Sequence, residues 1–195
     1  MTHHTNHDKP VAAGKSSYGL VEAEKIFQLL DLGPRAIFLD LACGRGPYSL
    51  HAANLIGPSG MVHAIDLWEE GIALLKEDMR ARAITNLTAT VADAGKHLPL
   101  PDNSLDCCLL ASVLHDFIEV GNANAVLSEI SRVLRQDGRL GVVEFKVQDG
   151  PPGPPKHIRL APERVIGLLT PFGFHLDQQI EVGPHHYMQL FHIHH

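Results

Sequence analysis

Three aspartates follow apolar runs of this sequence at places where small residues also gather. Asp40 opens the segment 40–46, Asp-Leu-Ala-Cys-Gly-Arg-Gly, while Asp66 and Asp93 each end a later apolar run. Small residues let a ligand approach the backbone, and a helix that begins beside them offers free N–H donors. Asp66 lies twenty residues after the last glycine of this segment, the spacing at which an acid meets ribose hydroxyls. The pattern therefore predicts a nucleotide-like ligand.

The first of these segments suits a cationic nucleoside better than a dinucleotide. Asp40 at the mouth of the loop would repel a pyrophosphate, whereas it would attract a ligand that carries an amino group and a sulfonium. The dinucleotide fingerprint also has Gly or Ala three residues after its second glycine, where this chain has Ser49. A glycine-rich turn alone is shared by many nucleotide-binding folds, so the acids favour the nucleoside.

Short apolar runs alternate with amphipathic segments along the chain. We expect strands at 36–41, 61–65, 87–91, 105–111 and 139–145, and helices at 20–30, 48–55, 68–82, 124–134 and 162–169. After a Pro-rich irregular stretch at 149–155 and the last helix, runs at 174–182 and 187–193 predict an antiparallel hairpin. Strands that are apolar on both faces indicate a mostly parallel sheet covered by helices. The predicted fold is α/β, a doubly wound Rossmann-like sheet with a C-terminal antiparallel hairpin.

The length of 195 residues predicts one domain. Residues 1–16 lack hydrophobic periodicity and are expected to form a mobile N-terminal arm, so the domain spans 17–195. The net charge of −6, with 16 scattered Lys and Arg, argues against a nucleic-acid partner. The longest apolar run, 107–114, is too short to enter a membrane as a spanning helix.

Cysteine and histidine usage predicts neither a disulfide framework nor a metal site. Cys107 and Cys108 are adjacent within a predicted strand, where core packing is expected. Eight of the 14 histidines lie near the two ends of the chain, where they are either metal ligands or surface residues without a partner, and no C-x-x-C or H-E-x-x-H spacing accompanies them. The polar start differs from a secretory signal, so a cytoplasmic location is expected.

Taken together, the motifs resemble the class I S-adenosylmethionine-dependent methyltransferases. The similarity is to the small ubiquinone-biosynthesis-like and arsenite-methyltransferase-like branch, and it covers roughly residues 17–193. The matching segments are 38–46, 64–66, 92–94, 98–106 and 134–140. The chain departs from the branch at Ala161, where a Ser or Thr helix cap is usual, and it lacks the thiols of an arsenite enzyme.

The resemblance implies a set of residues that bind S-adenosylmethionine. Asp40 would lie near the methionine amino group, Asp66 would bind the ribose hydroxyls, and Asp93 would meet the adenine edge. The residues that would contact the cofactor are Asp40, Leu41, Ala42, Cys43, Gly44, Gly46, Asp66, Leu67, Asp93, Ala94, Ala111 and Ser112.

His115 and Asp116 follow the fourth strand, where the catalytic residues of such sheets gather. His115 is either a general base toward a hydroxyl or amine acceptor or a wall of the pocket.

The predicted function is methyl transfer from S-adenosylmethionine to a small molecule, which leaves S-adenosylhomocysteine. Two alternatives stay open: a catalytically silent S-adenosylmethionine-binding partner module and a nicotinamide-dependent oxidoreductase. Homodimer formation also stays open.

Overall fold

One seven-stranded sheet forms the centre of the protein. The computed structural model describes residues 13–194, and the predicted arm lies largely outside the described residues. The strands are β1 (Ile37–Leu41), β2 (Met61–Asp66), β3 (Leu87–Val91), β4 (Leu105–Ala111), β5 (Leu134–Phe145), β6 (Phe174–Glu181) and β7 (His186–Ile193). Their order is β3-β2-β1-β4-β5-β7-β6. Strands β1 to β5 pair parallel with one another, and β7 pairs antiparallel with β5 and β6.

Six α-helices of the described chain cover this sheet. They are α1 (Ala23–Leu30), α2 (Pro47–Ile56), α3 (Glu69–Ala81), α4 (Leu114–Glu119), α5 (Ala123–Val133) and α6 (Pro162–Leu169). The predicted α/β fold with its terminal hairpin is confirmed, and β3, β4 and α6 have the predicted limits. None of the described helices is long and apolar enough to cross a bilayer.

Two elements differ from the expectation. The short helix α4 is not predicted, because its six residues are too few to show a helical period and it has no side-chain cap. Strand β5 begins at Leu134 rather than at the predicted residue 139, so residues 136–138, between the predicted helix and strand, belong to the strand. Leu134 pairs with Leu105 across a shift in register, and Asp137 takes a left-handed backbone conformation (φ 60°) there. The chain therefore stays beside β4 rather than leaving the sheet.

Apolar side chains fill the space on both faces of the sheet. On one face Phe38 of β1 packs in a cluster with Ile26 and Ile72, which come from α1 and α3. On the other face Leu39 belongs to a cluster that includes Val126 of α5. Successive residues of β1 thus point to opposite cores, as expected for a strand buried on both faces.

The two adjacent cysteines of β4 pack into these two cores. Cys107 and Cys108 are both fully buried and free. Burial raises the pKa of the Cys107 thiol to about 12 and that of Cys108 well above its ordinary value. Both thiols are therefore unreactive near neutral pH, and the expectation of core packing is confirmed.

Helix α6 begins without a capping side chain. Its N-cap is Ala161, which has extended backbone angles and makes no side-chain hydrogen bond, and Pro162 follows at the first helical position. We expect Ala161→Ser to raise the free energy of unfolding by about 1 kcal/mol, because the new hydroxyl can accept a free N–H of the first turn. Urea denaturation measures this change. Ala161→Val is the control, because its side chain cannot accept that bond; equal stabilisation by both variants would contradict the explanation.

Candidate functional site

A cleft opens at the carboxyl ends of β1, β2 and β4. It holds about 720 Å³ of empty space, its open mouth included, which lies within the size range of small-molecule sites. Most of its walls come from the turns that follow these strands, and Gly14 and Lys15 close one side. The position agrees with the rule that open α/β sheets bind ligands beyond the carboxyl ends of their strands.

Eight of the fourteen predicted site residues line this cleft, and the structure places the other six outside its walls. Those in the walls are Ala42, Gly44, Asp66, Leu67, Ala94, Ala111, Ser112 and Asp116. Those outside the walls are Asp40, Leu41, Cys43, Gly46, Asp93 and His115. The ligand contacts of both groups stay predictions.

Asp66 ties the turn after β1 to the turn after β2. Its Oδ2 accepts the backbone N–H of Gly44 at 2.7 Å, and its Oδ1 accepts that of Trp68 at 2.7 Å. Each carboxylate oxygen can accept a second hydrogen bond. The acid thus shapes the floor of the cleft and still has acceptor capacity for a ligand's hydroxyl groups.

The loop after β1 makes three left-handed turns in a short distance. Ala42, Gly44 and Gly46 have φ values of 59°, 59° and 71°. Among the residues that the structure describes, a Cβ added to Gly44 would meet only the Lys15 carbonyl, 4.0 Å away, so these residues leave the space beside this glycine free. A Cβ added to Gly46 would instead lie 2.5 Å from Cδ2 of Leu75. Gly44 therefore leaves room for a ligand, whereas Gly46 allows α2 to pack closely on α3.

Asp40 is buried beneath this loop. Its side chain is paired with Ser49, whose Oγ donates to Oδ2 at 2.5 Å, and the residue is 1% exposed. Burial raises the pKa of the Asp40 carboxyl to about 7, and the nearby charge of Asp66 adds to the rise, against the hydrogen bond from Ser49. Ser49, which stands where the dinucleotide fingerprint has Gly or Ala, is thus the hydrogen-bond partner of Asp40.

The raised pKa of Asp40 predicts a pH-dependent stability. Between about pH 4 and pH 7 the folded carboxyl holds a proton that the unfolded chain has released, so its burial lowers stability progressively as the pH rises through this window. The amide of Asp40→Asn does not titrate, so we expect the stability of this variant relative to the wild type to increase by about 2 kcal/mol from pH 5 to pH 8. Urea denaturation at both pH values measures this change. A difference between variant and wild type that does not change with pH would contradict the burial argument.

The end of β4 contributes a strained residue with an unpartnered hydroxyl. Ser112 has a φ of 58°, and its N–H donates to the carbonyl of Val143 at 2.7 Å. Its Oγ is buried, and no hydrogen-bond partner for it is found among residues 13–194. Backbone strain and an unsatisfied polar atom both cost stability, and such features cluster at functional sites.

The opposite wall is apolar. Leu67 lies in it with 55% of its surface exposed, and Ala94 follows the end of β3. An exposed leucine beside small residues suits the flat face of an aromatic base. Asp93 itself accepts the N–H of Gly95 at 2.9 Å and lies 3.5 Å from the Lys96 ammonium, so it has the contacts of a turn cap.

A buried acid that sequence analysis missed lies behind the cleft. Glu144, near the end of β5, is fully buried. Its Oε2 is 2.8 Å from Nδ1 of His115, and its Oε1 accepts the His115 N–H at 3.2 Å. Nε2 of His115 lies 3.7 Å from Oδ1 of Asp116, which lines the cleft. In the sequence, Glu144 is a single acid within an apolar strand, and no motif links it to His115. The contact becomes visible because β4 and β5 are adjacent in the sheet.

The Pro-rich stretch is held by one arginine. We call residues 149–158 the strap. Arg159, 4% exposed, donates from Nη2 to the carbonyls of Gly150 and Pro152 at 2.6 and 2.7 Å, and from Nε to that of Pro154 at 2.9 Å. Its Nη1 donates to the carbonyl of Lys146 at 3.2 Å. The strap has no helix or strand, as predicted, yet its backbone is fixed by these bonds.

The strap also packs close to the buried pair. A Cβ added to Gly153 would lie 2.5 Å from Cε1 of Phe145, so the strap's backbone rests on this ring. The Phe145 ring in turn meets the His115 ring edge-on at 6.2 Å between centroids. The strap therefore supports the side of the cleft that carries His115 and Glu144.

Three histidines gather on the terminal hairpin, away from the cleft. The rings of His175, His192 and His194 lie 4.5–5.8 Å apart between centroids. Among residues 13–194, no group of three or more His, Cys, Asp or Glu side chains is arranged to hold a metal ion. The histidines at the start of the chain and His195 lie outside the described residues.

Comparison with known proteins identifies the family. Residues 38–138, more than half of the chain, match the family model described as a methyltransferase domain. The chain belongs to this family. The match runs from β1 to β5 and so contains every strand that contributes to the cleft.

Curated relatives of this methyltransferase domain include quinone-modifying enzymes. The demethylmenaquinone methyltransferase of Lactobacillus johnsonii is 30% identical over 128 residues, 66% of this chain and 51% of the relative. A ubiquinone/menaquinone biosynthesis C-methyltransferase of Cellvibrio japonicus is 36% identical over 108 residues, 55% of this chain and 42% of the relative. The chain thus spans about half the length of the curated relatives that it matches.

Solved structures share the fold of this methyltransferase domain. A SAM-dependent methyltransferase from Aquifex aeolicus superposes with a TM-score of 0.83 at 24% identity, covering 94% of this chain and 95% of that one. The cyclase SpnF gives a TM-score of 0.74 at 19% identity, covering 88% of this chain and 79% of that one. A cyclase among these neighbours illustrates that the fold alone does not define the reaction.

Proposed function

We propose that this chain is an S-adenosylmethionine-dependent methyltransferase that acts on a small molecule. The observation that carries the proposal is the position of Asp66 in the cleft, where its carboxylate joins the glycine loop to the next strand and keeps free acceptor capacity. Family membership and the names of the curated relatives support the same reaction.

The residues present fit a nucleoside that carries an amino-acid arm. Asp66 suits the ribose hydroxyls, and the exposed side chain of Leu67 suits one face of the adenine. The open space beside Gly44 suits the arm, and the unpartnered Oγ of Ser112 suits one of its polar atoms. In its ionised form Asp40 would favour a cationic ligand through its charge rather than by contact, since its side chain lies outside the walls of the cleft.

In this proposal the protein acts mainly by alignment. S-adenosylmethionine, when bound, supplies a methyl group already activated by its sulfonium. The loop after β1 and the turn after β4 hold the ligand from two sides, while Asp116 faces the space left for the acceptor. Orientation of two bound reactants can supply most of the rate enhancement of such a displacement.

Calorimetry with S-adenosylhomocysteine and NAD tests the proposed cofactor. We expect the first to bind and the second not to bind. The opposite result would favour the nicotinamide-dependent alternative. Incubation of the full chain with S-adenosylmethionine and a panel of phenols, quinols, amines and thiols then tests turnover. Binding of S-adenosylhomocysteine without its production from any acceptor would favour the silent binding module.

The remaining features are proposed from the sequence. We propose that residues 17–195 form one methyltransferase domain and that residues 1–16 are a mobile arm, of which 13–15 border the cleft. A cytoplasmic location and a homodimer are proposed with them. Limited proteolysis, cell fractionation and light scattering test these features in turn.

A further inference from the structure

We propose that Asp116 takes a proton from the methyl acceptor, that His115 and Glu144 position it, and that the acceptor therefore carries an acidic O–H or S–H group, as a phenol, an enol or a thiol does. This proposal rests on the proposed methyltransferase function and adds the acceptor class to it. It also assigns a role to Glu144, a residue that no sequence motif marks.

The geometry separates one residue that can touch an acceptor from two that cannot. Asp116 lines the cleft near Ser112, whereas His115 and Glu144 are 4% and 0% exposed and lie outside its walls. A group in the wall of the cleft can exchange a proton with a bound molecule, whereas a group buried behind the wall can act only through the group in front of it. Asp116 is therefore the candidate base, and the other two are positioning residues.

Glu144 fixes the imidazole of His115 from behind. Both of its carboxylate oxygens are used, since Oε2 accepts from Nδ1 and Oε1 accepts from the backbone N–H of the same histidine. Nδ1 must carry a hydrogen to make the first bond, so Nε2 is the atom that faces Asp116, 3.7 Å from its Oδ1. That distance allows an ion-pair contact rather than a direct hydrogen bond.

The surroundings of His115 and Asp116 raise the pKa of both side chains. Burial lowers the pKa of His115, but Glu144, Asp116 and Glu119 together raise it above its ordinary value. Burial also raises the pKa of Asp116, aided by Glu144 and Glu119 and opposed by His115 and Lys15. On β7, Tyr187 lies near Glu144, but its hydroxyl donates to the carbonyl of Leu160.

The burial of the Glu144 side chain in the core of the sheet is energetically unfavourable and calls for an explanation. An apolar side chain at position 144 would continue the run Val142-Val143 and would avoid the desolvation of a charge. Among residues 13–194 the hydrogen bonds of the Glu144 carboxylate go to His115 and to the N–H of Phe145, which lies 3.4 Å from Oε2. Its contacts thus serve the orientation and charge of one imidazole.

The proton balance of the step defines the acceptor class. The acceptor's O–H or S–H bond breaks, and its proton goes to the Asp116 carboxylate. The electron pair set free on that oxygen or sulfur, or on a ring carbon conjugated to the oxygen, forms the bond to the methyl carbon. The pair of the breaking bond between the methyl carbon and the sulfonium stays on the sulfonium sulfur, and Asp116 releases its proton to solvent through the open cleft. Phenols ionise near pH 10, as tyrosine does, and thiols near pH 8.5, as cysteine does, so a carboxylate can assist the loss of either proton, whereas aliphatic alcohols are much weaker acids.

The test compares Asp116→Asn and Glu144→Gln with wild type on a series of phenols of graded acidity. S-adenosylhomocysteine affinity, measured by calorimetry, is expected to stay within about threefold in both variants. For Asp116→Asn we expect kcat to fall by about 10²–10⁴-fold, with the smallest loss on the most acidic phenol. Glu77→Gln, an exposed acid on α3, is the matched control and should keep wild-type kinetics.

The pH profile of kcat/KM distinguishes positioning from a purely structural role. The wild type should show an acidic limb from Asp116 and an alkaline limb from His115. Glu144→Gln should move the alkaline limb to lower pH, because the pKa of His115 falls without the adjacent negative charge. Asp116→Asn should lose the acidic limb.

Several results would overturn the proposal. A kcat of Asp116→Asn within threefold of wild type on phenols would do so, and so would turnover of amines but of no phenol or thiol. An unchanged alkaline limb in Glu144→Gln would remove the positioning role, and the Asp116 variant tests the base even if Glu144→Gln fails to fold. Failure of the wild type to bind S-adenosylhomocysteine would instead contradict the proposed function itself.

Discussion

Asp66→Asn is expected to weaken the binding of S-adenosylhomocysteine by about 100-fold. Hydrogen bonds to a charged group contribute about 1.5–3 kcal/mol each, and two ribose hydroxyls would lose such a partner. The amide would also remove one acceptor from the backbone N–H groups of Gly44 and Trp68, so the loop would lose part of its support. Isothermal titration calorimetry measures the change in affinity.

The neighbouring acid Glu69 provides the control for this variant. It lies in the first turn of α3 and is exposed, so Glu69→Gln removes a charge of the same sign close to the cleft without touching its wall. Its affinity should stay close to that of the wild type. If Asp66→Asn binds within threefold of the wild type, the carboxylate does not hold the ligand and the central observation of the proposed function is lost.

Gly46→Ala is expected to lower the free energy of unfolding by about 2–4 kcal/mol. A left-handed backbone costs an alanine about 1–2 kcal/mol, and the added methyl group would lie 2.5 Å from Cδ2 of Leu75, in a packed core. Since Gly46 is also the N-cap of α2, relief of the clash would move the helix away from α3 and change the loop that borders the cleft. Urea denaturation measures the loss of stability, and calorimetry measures its effect on ligand affinity.

Gly33→Ala is a suitable control for this substitution. A Cβ at position 33 would have no heavy atom within 4 Å, and its φ lies outside the left-handed region. This variant should therefore be as stable as the wild type or slightly more stable. Equal stability of the two variants would show that neither the clash with Leu75 nor the left-handed φ constrains position 46.

The sequence predicted those parts of the protein that depend on local pattern. Strands β3 and β4 have sharp apolar runs bounded by turn residues, and their limits were predicted without error. The loop at 40–46 was marked by its glycines, and Asp66 by its distance from them. The prediction of α4 failed because six residues carry too little periodic information.

The parts that were missed depend on contacts between distant residues. Glu144 and His115 are 29 residues apart, and they meet only because β4 and β5 are adjacent and parallel. The left-handed φ of Ser112 is imposed by the turn into α4 rather than by a glycine signal. Likewise, the composition of the strap excluded helix and strand there but did not indicate which residue would hold it.

The way in which Arg159 holds the strap bears on how this enzyme family can diversify. All four of its hydrogen bonds go to backbone carbonyls, which every amino acid supplies. Side chains of the strap can therefore be exchanged by mutation without loss of the anchor, apart from Gly150 and Gly153, which have left-handed backbones (φ 83° and 95°) and the second of which rests on Phe145. The sequence of the strap is thus free to vary on an unchanged scaffold.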